Sequence, residues 1–207
     1  VFCDAAMFGT PTREGRRFSE FEPQQGPITL ARVIRREVNI FVATVIRRPA
    51  LEQVGGFDPR LRACEDLDLW LRILAAGHGA ARVDAALVDY RRRSDSLSTA
   101  PIKLNGAAVA VYERLAAALA GRPEQAAALA QAAHYRAVVD WDSGEAAIRD
   151  GRPREGVRMM AAAAPRLGHR RWMPLLALLD RVPALAAPLL RLRDRRNAKA
   201  LALGGRD

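Results

Sequence analysis

The feature that most constrains this chain is a change of pattern near residue 100. Before it, short β-branched runs alternate with turns marked by glycine and proline. After it, the sequence is rich in alanine, with helix-length segments between punctuating Gly and Pro. The two patterns demand different architectures. An α/β part with a mixed sheet is expected over 1–100, and an all-α C-terminal extension over 101–207. Half of the 207 residues are hydrophobic, enough to build a core.

Within the first part, Asn39 to Ile46 (NIFVATVI) reads as a buried strand. Pro49 suits the first turn of a short helix, which Gly55-Gly56 stops. A second helix is predicted from Glu65 to Ala76. Leu67, Trp70, Leu71 and Leu74 fall at i, i+3, i+4 and i+7 and make one apolar stripe, and Gly77 fits the position just past its end. Val83 to Tyr90 reads as a strand, and Arg91 to Thr99 as a basic loop. Residues 12–27 read as an irregular loop, followed by a helix from Ile28 to Arg36. The chain opens without Met on the apolar run Val1-Phe2-Cys3, which reads like the middle of a domain, so a piece of a longer protein is expected.

In the second part helices are predicted near 102–120, 123–141, 143–150, 153–164, 171–181 and 184–203. Gly-Arg-Pro occurs at Gly121–Pro123 and again at Gly151–Pro153, each time ahead of an alanine cluster. Gly151 through Pro165 is similar to part of a tetratricopeptide-type hairpin; two copies do not make a solenoid.

The net charge is +10, nearly all from arginine, and the excess lies late: residues 140–207 hold fourteen basic and eight acidic side chains. Such a tail suits either an anionic partner or a solvated helix face. A membrane surface met by residues 170–207 is one such partner. A nucleic acid is disfavoured, because the basic residues are not interleaved with aromatics and no reader motif is present. Trp172 to Leu192 is the most apolar stretch, yet Asp180, Arg181 and three prolines argue against a membrane span. Cys3 and Cys64 have neither metal spacing nor a disulfide framework, so reduced thiols and a cytoplasmic location are expected, with the tail possible on the inner face of the membrane. His78, His134 and His169 are isolated.

The densest chemical candidate is the acidic start of the second helix, Glu65-Asp66-Leu67-Asp68. Acids there stabilise a helix N-terminus through its free N–H groups and dipole, and that alone accounts for them structurally. The chemical alternative is a carboxylate that removes a proton from an acceptor hydroxyl. The helix dipole lowers its pKa and neighbouring carboxylates raise it.

Context adds to this. Val45-Ile46-Arg47-Arg48, Val54-Gly55-Gly56-Phe57-Asp58, Glu65-Asp66-Leu67-Asp68-Leu69-Trp70-Leu71-Arg72 and Tyr90 through Ser98 follow one another in order. Together they resemble the second half of family-2-type glycosyltransferases of the GT-A kind, over about 100 residues. The resemblance implies an incomplete GT-A-like domain that is part of an inverting glycosyltransferase. Its donor would be a nucleotide-sugar and its acceptor a glycan or lipid-linked hydroxyl of cell-envelope type. It implies that Asp66 is the general base and that Glu65 orients the acceptor or its loop. Gly55, Gly56 and Phe57 would line the acceptor, with Trp70 either a core residue or a sugar-stacking platform. Arg91, Arg93 and Ser96 would meet the donor diphosphate. Asp68 and Arg72 would hold the helix in place.

Two departures stand out. Arg93 occupies the place of a metal-binding His found in many relatives. The Asp-x-Asp metal motif is absent, and Asp4 does not replace it. A divalent metal, Mg or Mn, would therefore belong to the intact enzyme with ligands outside this chain, and the chain by itself would be inactive. The remaining alternative is a non-catalytic interaction module built on the basic helical tail.

Overall fold

The computed structural model describes residues 1–9, 13–92 and 101–203, with side chains described to 197. The chain divides into two compact units, Val1–Ala132 and Ala133–Asp207. The division falls inside a long helix rather than at the compositional change near 100.

The first unit contains both strands found among the described residues. Strand β1 (Phe2–Phe8) lies parallel to β2 (Arg82–Arg91), Phe2 beside Arg82 and Phe8 beside Arg91. Parallel neighbours need a long crossover. Here, among the described residues, it carries a 3-10 turn (Phe18–Glu20) and three α-helices: α1 (Leu30–Ile34), α2 (Arg48–Val54) and α3 (Glu65–Ala75). The ladder shifts register on both sides of Asp4, whose side chain is fully buried in the bulge. Asp4 accepts hydrogen bonds from the backbone N–H of Ala5 and Ser19, from the Ser19 hydroxyl at 2.6 Å and from Arg82 at 3.2 Å. Burial raises its pKa, but these donors outweigh that and hold it below the usual range.

The predicted strand Asn39–Ile46 does not form. Thr44 turns its hydroxyl back to the Phe41 carbonyl at 2.7 Å, which closes a bend. Only Ala43 to Val45 run beside the start of β1, through Cys3 N–H to Ala43 and Val45 N–H to Val1. The β-branched run is nevertheless consumed by the core at its first half. Val38, Ile40 and Phe41 are buried, and Phe41 sits in an aromatic cluster with Phe18 at 4.7 Å and Tyr90 at 5.4 Å. A sheet of mixed sense is thus reduced to two parallel strands and isolated antiparallel bridges.

Helix α3 is buried almost all round, not along one stripe: Leu69 and Ile73 are enclosed as well as Leu67, Trp70, Leu71 and Leu74. It packs against α1, α2 and α4 (Pro101–Ala118), so no side of its middle faces water. Helix α4 accordingly belongs to the first unit, burying Ala108, Val111, Tyr112 and Leu115.

Helix α5 (Gln125–Arg149) runs unbroken through the gap expected near 142. Its Gly144 lies against Gly156 of α6 (Pro153–Ala163): a Cβ on Gly144 would stand 2.7 Å from the Gly156 carbonyl oxygen. This close approach keeps a residue that otherwise costs a helix about 1 kcal/mol. Helices α7 (Met173–Arg181) and α8 (Ala186–Leu203) complete the second unit. Ile148, Val157, Met160, Leu176, Leu179 and Leu190 form its core. Glu145 clasps it, accepting from the Arg193 fork, with one bond at 2.8 Å, and from the Trp141 indole N–H at 3.0 Å.

Candidate functional site

The candidate site is assembled at the start of α3. The residue before it, Cys64, has φ 57°, a left-handed conformation that costs a non-glycine residue about 1–2 kcal/mol. Its side chain makes no N-cap bond. The Asp66 carboxylate instead accepts from the backbone N–H of Leu67 at 2.7 Å. Asp66 is half-buried, and burial pushes its pKa up, helped by the charge of exposed Glu65; the N–H groups of Leu67 and of Asp66 itself, and least of all Arg36, pull it back. The Cys64 thiol is pushed up to about 11, mainly by burial and then by Asp66.

Arg36 is the second non-glycine residue with positive φ among those described, at 59°. It ends α1: its N–H donates to Val33 and that of Glu37 to Arg32, the paired bonds of a Schellman stop. The same stop after α2, α3, α5 and α6 uses Gly55, Gly77, Gly151 and Gly168. Only at Arg36 is the strained position given to a charged side chain. That side chain acts on both Cys64 and Asp66. The Arg36 guanidinium itself lies 3.7 Å from the Glu22 carboxylate, so its effect on Asp66 is the weaker one of charge at longer range.

Asp68 lives in a different environment. Two residues along a helix turn the side chain by roughly 200°. Asp68 is buried and held by Arg72 at 2.7 Å and by Arg114 of α4 at 2.7 Å. Arg72 also donates to the carbonyls of Val54 and Gly56, at 2.6 and 2.7 Å, and so ties the glycine turn to α3. Arg114 further bridges to Asp58 at 2.5 Å. Arg60 does most, ahead of Arg114, to hold the Asp58 carboxyl far below the usual range. Arg114 carried one legible signal, a charge among Val111, Leu115 and Ala118 on an apolar stripe; Arg36 and Cys64 carried none, since left-handed backbone is not written in those side chains.

The expected site residues therefore fall into separate places. Gly55, Gly56 and Phe57 line a cleft of about 670 Å³ on the Asp68 side, with Asp58, Arg72 and Arg114; Asp66 and Glu65 are not among its walls. Phe57 is 52 % exposed there. Trp70 is 5 % exposed and so is no open stacking platform; it lines another cavity, of about 600 Å³, beside Phe2 and Ile40. Arg91 is exposed at the C-terminal end of β2. Arg93 and Ser96 lie outside the described residues.

The described residues do not fit the divalent metal that the resemblance implies. No three of their His, Cys, Asp or Glu side chains are grouped to hold one. Asp4 is enclosed by its own donors. No family model, curated protein or solved structure matches the chain.

Proposed function

We propose that this chain supplies the acceptor side of an inverting glycosyltransferase, with Asp66 as the general base. The observation that carries the reading is the contrast within the acidic motif. Asp68 and Asp58 are locked by arginines, whereas Asp66 is half-buried, raised in pKa and free of any direct arginine bond among the described residues. A carboxylate whose pKa is raised takes a proton more readily than a solvated one.

In this mechanism an acceptor hydroxyl meets Asp66. Its oxygen attacks the anomeric carbon of a nucleotide-activated sugar as the O–H proton passes to an Asp66 carboxylate oxygen. The bond from the anomeric carbon to the diphosphate oxygen breaks, the nucleoside diphosphate leaves, and the configuration inverts. Arg36 tempers the charge of the ionised carboxylate, and Glu65 orients the acceptor. Arg91, leading out of the C-terminal end of β2, stands where ligands of parallel sheets bind and suits the leaving diphosphate, together with Arg93 and Ser96. The nucleotide and any metal are held by residues other than those described.

The test is transfer of labelled sugar from a panel of nucleotide-sugars by the full-length protein. Asp66→Asn is expected to lower kcat by roughly 100- to 10,000-fold, with nucleotide affinity unchanged and inversion shown on the product. Arg154→Gln, at an exposed side chain of α6 in the second unit, leaves kcat unchanged. Full activity in Asp66→Asn, or a folded wild type that transfers no sugar, overturns the reading.

A further inference from the structure

We infer that the α7–α8 face of the second unit is an in-plane docking surface for an anionic phospholipid bilayer. Apolar residues are exposed there at regular spacing. Leu178, Val182, Leu185, Leu189 and Leu192 are each 40–53 % exposed and recur at steps of four and three. On the second segment Leu185, Leu189 and Leu192 fall at i, i+4 and i+7, one side of a helix, and Arg196 continues that line at i+11. Leu189, Leu192 and Arg196 also border an apolar groove of about 710 Å³ with Trp172, Leu175 and Leu179. The α8 part of the exposed stripe, Leu189 and Leu192, thus runs into the groove.

Charge selects the occupant. Residues 165–197 hold eight arginines and two acids. Both acids are already matched, Asp180 by Arg158 at 3.0 Å and Asp194 by Arg149 and Arg193. Arg166, Arg170, Arg171, Arg181, Arg191, Arg195 and Arg196 are exposed and have no acidic partner among the described residues. Apolar residues flanked by unmatched arginines fit a negatively charged lipid surface, where leucines enter the acyl boundary and guanidinium groups stay among the phosphates.

The same residues decide how the segment lies. Among the described residues no single helix is long and apolar enough to cross a membrane, and the two segments Arg170–Arg181 and Pro183–Asn197 meet at a bend of 118°. Threading that bend into the bilayer would carry Asp180 and Arg181 at its elbow into hydrocarbon, which is costly. Lying flat keeps both at the headgroups.

The test is co-sedimentation of the whole chain with vesicles of phosphatidylcholine containing roughly one third phosphatidylglycerol, against vesicles of phosphatidylcholine alone. Binding is expected to the first and not the second. Replacing Leu185, Leu189 and Leu192 by Glu should cut partitioning more than tenfold, and replacing Arg191, Arg195 and Arg196 by Gln should cut it about a hundredfold at low salt. All six side chains are exposed, so circular dichroism should show both variants folded; if the glutamate set unfolds, Leu189→Ser alone carries the apolar arm. No binding to the anionic vesicles overturns the inference. So does binding that survives the leucine changes in a folded variant, since it would be charge attraction without insertion. Equal or tighter retention on RNA than on vesicles overturns it in favour of a nucleic-acid surface.

Discussion

Asp66 and Asp68 stand two residues apart on one helix and meet opposite surroundings. Asp68 is buried between the guanidinium groups of Arg72 and Arg114, while Asp66 is met by backbone N–H groups, that of Leu67 at 2.7 Å and its own, and by no arginine bond among the described residues. An acidic motif that looks uniform in sequence is divided by the helix into a structural carboxylate and a poised one.

The division predicts opposite effects of the same chemical change. Asp68→Asn leaves Arg72 and Arg114 without their shared anion and loosens the glycine turn, so stability should fall by about 2–3 kcal/mol. Asp66→Asn removes a carboxylate that burial disfavours, so it should not destabilise the protein at neutral pH and should raise its melting temperature. Urea midpoints of the two variants check this; loss of stability in both would show that Asp66 is structural too.

The pH dependence follows from the raised pKa of Asp66. The folded chain keeps this proton above the ordinary 3.8, so it binds more protons than the unfolded chain across the window that begins there. The stability this group contributes falls as pH rises through that window and levels off above the folded pKa. The difference in stability between Asp66→Asn and wild type should accordingly be small below pH 3.8, grow upward through the window and then stay constant. Thermal melts at a series of pH values measure it. A difference that grew toward acid would give the opposite sign and refute the assignment.

Arg36 is expected to trade stability for function. Arg36→Gly removes the left-handed penalty of about 1 kcal/mol at the end of α1 and should stabilise the fold. It also removes the charge that tempers Asp66, so the pKa of Asp66 should rise further, read by NMR titration of its carboxyl carbon. Arg36→Ala keeps the strain and loses the charge, which separates the two effects.

The Cys64 thiol should be sluggish. With a pKa near 11 it is almost wholly protonated at pH 8, so alkylation by iodoacetamide should be about a hundredfold slower than for a free cysteine. The rate, followed by mass spectrometry of the peptide, should climb about tenfold per pH unit up to that value. Fast labelling at pH 8 would show the thiol to be solvated.

Gly156→Ala tests the contact between α5 and α6. A Cβ there meets the Gly144 carbonyl oxygen and comes within 2.7 Å of the Ile148 side chain. Overpacking of this kind costs about 1–3 kcal/mol, more than the helix propensity gained by alanine. Denaturant midpoints should show a net loss; a gain would mean that the two helices are not in contact.

Local signals in the sequence determined most of the helices, two of their stops and the second strand, though not the continuity of α5 or the stop at Arg36. Gly55 and Gly77 each end a helix where expected, because a left-handed stop favours a residue without Cβ whatever surrounds it. The acidic run Glu65-Asp66-Asp68 was legible as the start of a helix for the same local reason. What lies between elements was not legible. Asn39–Ile46 has the composition of a strand, but a strand needs a partner along its length, and only Ala43–Val45 find one. Trp70 could be a platform or a core residue until its neighbours closed over it. The contrast between Asp66 and Asp68 depends on the burial of the one and on the arginine pairing of the other, with Arg114 forty-six residues after Asp68. Tertiary structure alone decided it, because a carboxylate's protonation and role are set by the charges and burial that folding brings to it, not by its neighbours in the chain.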